Sequence, residues 1–256
     1  MSTFSRGLDV MELLAEKNGL TITELANELN INRSASHRLL GTLEEKGYVG
    51  KTKNKRYYLT FKVTQLGMMV ANNVSLRTVA RPFLQEIAYT FKDNVTLGYW
   101  DGHRIVHLDK IESDEVLKID PRIGTYPAGH CTSLGKAILA YLPERELESY
   151  LESNPLKSYT EFTITDRQQL EKELLKVRKE AFAVDNQERA IGLRCAACPG
   201  FDYTGRICFA ISVSALDKKM PDERLIKVQE ALAEVCVRLS QKLGAPEPVI
   251  KSAFNV

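Results

Sequence analysis

The stretch GHCTSLGKA, residues 129–137, carries the parts of a phosphate-binding loop: a leading glycine, a Gly-Lys pair and an apolar helical pattern directly behind it. A loop of the Walker type puts four residues between its glycine and the Gly-Lys, and follows the lysine with a Ser or Thr hydroxyl for magnesium. Here five residues separate Gly129 from Gly135, Ala137 stands where the hydroxyl belongs, and residues 123–127 read as loop instead of the required strand. Nucleotide hydrolysis is excluded. What remains is a polar loop opening a helix near residues 133–135, and the N–H groups of a helix start favour a small anion. Lys136 is incidental to that role.

Cys195-Ala196-Ala197-Cys198 has the spacing of a metal or redox pair. It lacks a second ligand pair, and positions i and i+3 of a strand point to opposite faces. Pro199-Gly200 follows, where a redox pair would open a helix. The four histidines, His37, His103, His107 and His130, show no ligand spacing, and no serine sits in a nucleophile elbow. With no catalytic constellation, the chain reads as a non-enzyme that uses no metal and no cofactor.

The elements that must carry these residues fall into two textures. In the first, Leu8, Met11, Leu14 and Ala15 keep helical spacing up to Gly19; Ile22, Leu25, Ala26 and Leu29 repeat it, with Thr21 or Thr23 as N-cap. A third helix opens after Asn32, turns Ala35, Leu39, Leu40 and Leu43 inward, and ends at Gly47. Tyr48-Val49 and Tyr57-Tyr58-Leu59 then flank a polar basic tip over 50–56, which predicts a hairpin. Three short helices and a basic hairpin outline a winged helix-turn-helix.

Charge follows the same division. Residues 1–30 hold two bases and five acids, whereas residues 31–60 hold seven bases and two acids. The positive half is the third helix plus the hairpin, the elements such a fold presents to double-stranded DNA. Lys51, Lys53, Lys55 and Arg56 are therefore assigned to phosphates. Asn32, Arg33, Ser34, Ser36, His37 and Arg38, at the start of the third helix, are assigned to the operator bases and their flanks.

Residues 60–73 continue a helical pattern through Phe61, Val63, Leu66, Met69 and Val70, and a second amphipathic helix runs over 76–91. The boundary is expected between 60 and 78; an apolar connector of this kind packs on its own domain or, because palindromic DNA sites call for two-fold protein symmetry, serves as a dimer seam. Beyond residue 94 the second texture begins. Strands are predicted over 95–100 and 104–111 around an Asp101-Gly102 turn, and a third over 116–119. Helices follow over 134–142, 144–151 and 167–180, strands over 193–195 and 207–214, and a long helix over 222–243. This is an α+β domain with an antiparallel sheet, suited to enclosing a small ligand.

Composition agrees with a globular protein: 256 residues, 44% hydrophobic and 27% charged. MSTFSRGLDV lacks the apolar core of a signal peptide, and no apolar run approaches the length of a membrane span. Five cysteines without framework spacing fit reduced thiols in a cytoplasmic protein.

Three stretches in this order, LTITELANELNINRSASHRLLGTLEEKGYV, HCTSLGKAILAYLP and FAVDNQERAIGLRCAACPGFDYTGRICFAISVSAL, make the chain resemble the IclR (isocitrate lyase regulator) family of bacterial transcription factors. The likeness covers roughly residues 4 to 245. It implies a winged helix-turn-helix over 1–60, a connector helix over 61–78, a GAF-like effector-binding and oligomerisation domain over 79–246, and a C-terminal tail over 247–256. It also implies a homodimer or homotetramer whose operator binding or polymerase engagement responds to a small organic acid, of the sugar-acid or aromatic-acid type. Carried over position by position, the effector pocket comprises Ser133, Leu134, Asp185, Cys195, Ser212 and Ser214, with Val116, Ile119 and Leu193 as its apolar side. Ser212 and Ser214 alternate in a strand and so share one face, the amides at Ser133 and Leu134 suit a carboxylate, and Asp185 suits a ligand hydroxyl.

The chain departs from the family at three positions. Ala181 replaces a glycine ahead of the Phe182-Ala183-Val184-Asp185 stretch, which predicts an altered turn near Asp185, because alanine resists a left-handed helix end. Cys198 and Gly200 predict a changed pocket volume. Two other readings stay open here: a hydrolase or thiol enzyme built around Cys195, and a constitutive DNA-binding scaffold with a collapsed pocket.

Overall fold

The computed structural model describes residues 2–17, 19–66, 75–113 and 122–255, and the chain divides into two compact units, Met1–Ser75 and Leu76–Val256. Val116, Ile119, the strand expected over 116–119 and residues 67–74 of the connector lie outside the described residues.

The first unit follows the apolar spacing. Helices α1 (Thr3–Glu16), α2 (Ile22–Glu28) and α3 (Arg33–Glu45) precede a hairpin of β1 (Val49–Lys51) and β2 (Tyr57–Leu59), and residues 61–66 are helical, α4. Thr21 and Glu24 form a reciprocal capping box on α2, and Asn32 caps α3 by accepting from the Ala35 N–H at 2.7 Å. Val10, Leu14, Leu25, Leu40, Val49 and Tyr57 close a small core, and Leu20 bridges to Tyr57 so that the hairpin is fastened to the helices.

The second unit is built on a five-stranded antiparallel sheet. Its strands are β3 (Asn94–Trp100), β4 (Ile105–Ile111), β5 (Ala183–Asn186), β6 (Leu193–Phe201) and β7 (Ile207–Leu216), in the order β4-β3-β7-β6-β5. Alternation along β7 shows why both faces are covered. Phe209, Ile211, Val213 and Ala215 pack in the core that holds α5 (Leu76–Phe91) and α9 (Asp222–Lys242), while Ala210 joins the opposite core with α6 (Ser133–Leu139) and α8 (Arg167–Glu180). Helix α7 (Glu144–Ser153) completes that second layer.

Four details differ from the sequence reading. Residues 247–256 were expected as a tail, yet α10 (Glu247–Phe254) packs Ala253, Val249 and Phe254 into the second core. Strand β6 does not stop at Cys195 but runs through Pro199 and Gly200. Proline is tolerated because β5 ends at the Ala183–Ala197 pair, leaving one side of β6 without a strand, and Gly200 leaves the space that the Phe209 ring occupies. Ala181 does not redirect its turn: it adopts the left-handed conformation itself, at φ 49° and ψ 31°, and ends α8. Finally, Cys198 and Gly200 face the Phe209 and α9 side of the sheet, away from the pocket residues, so they do not set pocket volume.

Candidate functional site

In the first unit, α3 divides cleanly. Arg33, Ser34, His37 and Arg38 are exposed together on one face, and Asn32 is exposed at its start. Asn32 Oδ1 is occupied by the Ala35 N–H and the Ser34 hydroxyl, so its carbonyl oxygen serves the cap. Ser36 does not join this face. It is fully buried and its hydroxyl donates to the Asn32 carbonyl at 3.2 Å, which removes it from any base-reading role.

On the hairpin, Lys51, Lys53, Lys55 and Arg56 are all exposed. Arg56 reaches across to the helices: it donates to the Gly19 carbonyl at 2.5 Å and to Glu24 Oε2 at 3.2 Å. Its guanidinium therefore also fastens the hairpin to α2, a structural role that the sequence reading did not assign to it. Lys51 lies over the Tyr57 ring at 5.1 Å, and Lys53 and Lys55 stand at the tip.

The second unit holds a cavity of about 400 Å³ between the sheet and the segment leading into α6. Seven carried-over positions, Ser133, Leu134, Asp185, Leu193, Cys195, Ser212 and Ser214, line it together although they come from segments far apart in the chain. Register explains the meeting. Asp185 pairs with Cys195, Cys195 with Ser214, and Ser212 with Thr96, so these side chains share one sheet face. The opposite wall is fixed by α6, whose Thr132 cap accepts from Gly135 N–H at 3.2 Å and whose Leu134 side chain fills the space left by Gly98.

Sequence reasoning missed part of the lining: Thr96, His107, Arg122, Thr125, Tyr126, Tyr159 and Arg189. Thr96 was recoverable only from its register with Ser212; Arg189 follows Asp185 by one turn of chain and carried no motif of its own. His107 contacts the Thr125 hydroxyl at 3.1 Å, and burial holds its imidazole down to about 4, so it lines the cavity as a neutral group. The Arg189 guanidinium stacks over the Tyr159 ring at 4.2 Å.

Asp185 is 1% exposed. Its Oδ1 accepts from the Glu188 N–H at 2.8 Å and the Arg189 N–H at 3.2 Å. Burial nevertheless pushes its carboxyl up to about 7; the nearby Glu188 carboxylate adds to this, and the backbone donors and Lys136 offset only part. Cys195 is buried and its thiol is pushed well above the ordinary range, which leaves it a neutral lining group instead of a nucleophile. Lys136 does not face the cavity. It is buried and bonded to Glu188 at 2.6 Å and Glu173 at 3.2 Å, tying α6 to the turn that carries Asp185 and Arg189.

Among the described residues, no group of three or more His, Cys, Asp and Glu side chains could hold a metal ion, and no helix is long and apolar enough to cross a membrane.

Comparison with known proteins agrees with both units. The IclR helix-turn-helix domain matches residues 3–53, and the bacterial transcriptional regulator IclR C-terminal domain matches residues 68–241. The HTH-type transcriptional regulator XynR of Escherichia coli (strain K12) is 30% identical over 248 residues, covering 96% of this chain and 98% of the relative. The HTH-type transcriptional regulator KdgR of the same organism is 31% identical over 245 residues, covering 95% and 93%. The crystal structure of the Thermotoga maritima IclR superposes with a TM-score of 0.64 at 32% identity, over 94% of this chain and 98% of that one.

Proposed function

The chain belongs to the IclR family of DNA-binding transcriptional regulators, and we propose that its operator binding or polymerase engagement is modulated by a small organic acid held in the second unit. The observation that carries this reading is the cavity itself. It gathers the hydroxyls of Thr96, Ser212 and Ser214 on its sheet side and the guanidinium groups of Arg122 and Arg189 among its loops, a lining suited to a hydroxylated anion. The first-turn amides of α6, at Ser133 and Leu134, have no intrahelical acceptor and suit a carboxylate oxygen.

In this reading Arg33, Ser34, His37 and Arg38 meet the bases and their flanking phosphates, and Lys51, Lys53 and Lys55 track the backbone. Two chains, as a homodimer or within a homotetramer, present paired readers to a palindromic operator. The effector changes operator affinity by its differential affinity for two arrangements of the protein, a coupling of about 1–3 kcal/mol in typical cases. The thiol-enzyme reading has no support in a buried, neutral Cys195.

The test combines a thermal-melting screen against organic acids with operator titrations. Arg38→Ala is expected to weaken operator binding and leave ligand-induced stabilisation unchanged. Ser212→Ala is expected to do the reverse. Loss of both properties in either variant would overturn the assignment of two separate sites.

A further inference from the structure

The cavity has a cation at each end, and this bears on the class of acid. The sheet order runs β4-β3-β7-β6-β5, so β4 and β5 are its edges. Beyond β4, the segment carrying Arg122 is bonded to that edge: Gly124 N–H donates to the His107 carbonyl at 2.8 Å and His107 N–H to the Thr125 carbonyl at 2.9 Å. Beyond β5, the turn after Asp185 carries Arg189. Between the two lie Thr96 on β3 and Ser212 and Ser214 on β7. The cavity therefore reads, across the sheet, as guanidinium, hydroxyls, guanidinium.

Among the described residues, no carboxylate lies within ion-pair distance of Arg122 or Arg189, whereas Arg77, Arg81, Arg167, Arg194, Arg206, Arg224 and Arg238 each have one. Arg189 is also held: its guanidinium lies on the Tyr159 face, and stacking of that kind leaves the in-plane N–H donors for a carboxylate. One anionic group cannot satisfy cations on opposite edges of a sheet.

We propose that the effector is a polyhydroxylated dicarboxylate that spans the cavity, with Arg189 receiving one carboxylate, Arg122 the other, and the serine and threonine hydroxyls the carbons between. The proposal deepens, and rests on, the reading of this cavity as the effector site. Edge to edge the sheet covers four strand spacings, roughly 19 Å. Both arginines line the cavity within that span, and a carbon chain of about four to six atoms at ~1.5 Å per bond fits between them.

The experiment is calorimetric titration of the full chain with matched pairs that differ by one carboxylate: malate against 2-hydroxybutyrate, and galactarate against galactonate. In each pair that binds, the diacid is expected to bind at least tenfold tighter. Arg189→Gln and Arg122→Gln should each weaken the diacid at least tenfold, whereas the monoacid, with one carboxylate, should weaken in no more than one of the two variants, and Arg189→Lys should recover part of the Arg189 loss. Operator binding by the unliganded variants serves as the folding control, and Tyr159→Leu, which removes the stack but not the charge, should reproduce a weaker form of the Arg189 effect. Equal affinity within every pair, monoacid binding without diacid binding, or a monoacid weakened as much as its diacid by both Arg189→Gln and Arg122→Gln would overturn the two-ended assignment while leaving the effector cavity standing. Absence of binding by all four acids, confirmed in a broader acid screen, would overturn the effector reading and this inference with it.

Discussion

Gly129 and Gly135 meet backbone to backbone: a Cβ placed on Gly135 would overlap the Cα and the carbonyl oxygen of Gly129. The two glycines that give GHCTSLGKA its nucleotide-loop look are thus a close-packing device. Gly129 N–H donates to the Tyr150 hydroxyl at 3.0 Å, and the contact sets α6 down against the segment that walls the cavity. Gly135→Ala is therefore expected to destabilise the second unit at the upper end of what overpacking costs, about 3 kcal/mol, because backbone cannot swing aside as a side chain can. Urea unfolding followed by tryptophan fluorescence, with Trp100 as reporter, measures it. A loss under about 0.5 kcal/mol would mean that the contact is easily relieved.

The neighbouring question is Ala181, which ends α8 in the left-handed region without being glycine. For an L-residue that conformation costs roughly 1–2 kcal/mol. Ala181→Gly should relieve it and raise the stability of the second unit by about 1 kcal/mol, less the extra chain entropy of glycine. The residue is buried, so part of the gain is offset by a lost methyl contact. A lower urea midpoint in the variant would show that packing outweighs backbone strain here.

How much of this was legible beforehand depends on where the information lay. The arc of α3 was readable: Ala35, Leu39 and Leu40 fix its inner face, and Ser36, one turn before Leu39 and Leu40, falls within the same arc. Treating Ser36 as a base reader ignored that geometry in favour of its polarity. The row of Asp185, Cys195 and Ser214 was reached through resemblance, since local pattern does not say which strands lie side by side. Arg122, Tyr159 and Arg189 were invisible for a related reason. Each sits on a loop, and loops separated by tens of residues meet only because the strands beneath them are in register. Pro199 and Gly200 misled because turn residues were weighed without knowing that β5 stops short of them.

Asp185 sets a pH dependence with a definite sign. Its carboxyl is raised in the folded protein to about 7, from an ordinary value of 3.8, chiefly by burial. Below the ordinary value both folded and unfolded chains are protonated, and the group's contribution is fully present. As pH rises toward 7 the folded state retains a proton that the unfolded state has released, so stability falls, by at most about 1.4 kcal/mol per pH unit. Above about 7 the loss is complete. Asp185→Asn, which keeps an oxygen for the Glu188 and Arg189 N–H groups, should flatten the slope between pH 5 and 7. Unfolding midpoints of both proteins across that range decide it, and parallel slopes would assign the titration elsewhere.

The basic hairpin separates into two kinds of charge, and mutation should separate them too. Lys53 and Lys55 are exposed at the tip, while Arg56 is engaged with Gly19 and Glu24 on the body of the first unit. If the lysines neutralise phosphates, Lys53→Ala and Lys55→Ala should each weaken binding similarly on operator and on unrelated DNA. Each should also reduce the slope of log affinity against log salt by about 0.9. Arg56→Ala should instead free the hairpin from α2: operator binding falls because the hairpin is misplaced, and the first unit melts earlier. Ser36→Ala should leave sequence preference untouched, since its hydroxyl is buried against the Asn32 carbonyl. Fluorescence anisotropy over a range of salt concentrations, with melting curves on the same samples, distinguishes these outcomes. An Arg56→Ala protein with unchanged melting and a slope reduced like that of the lysine variants would place Arg56 in the phosphate-contacting set.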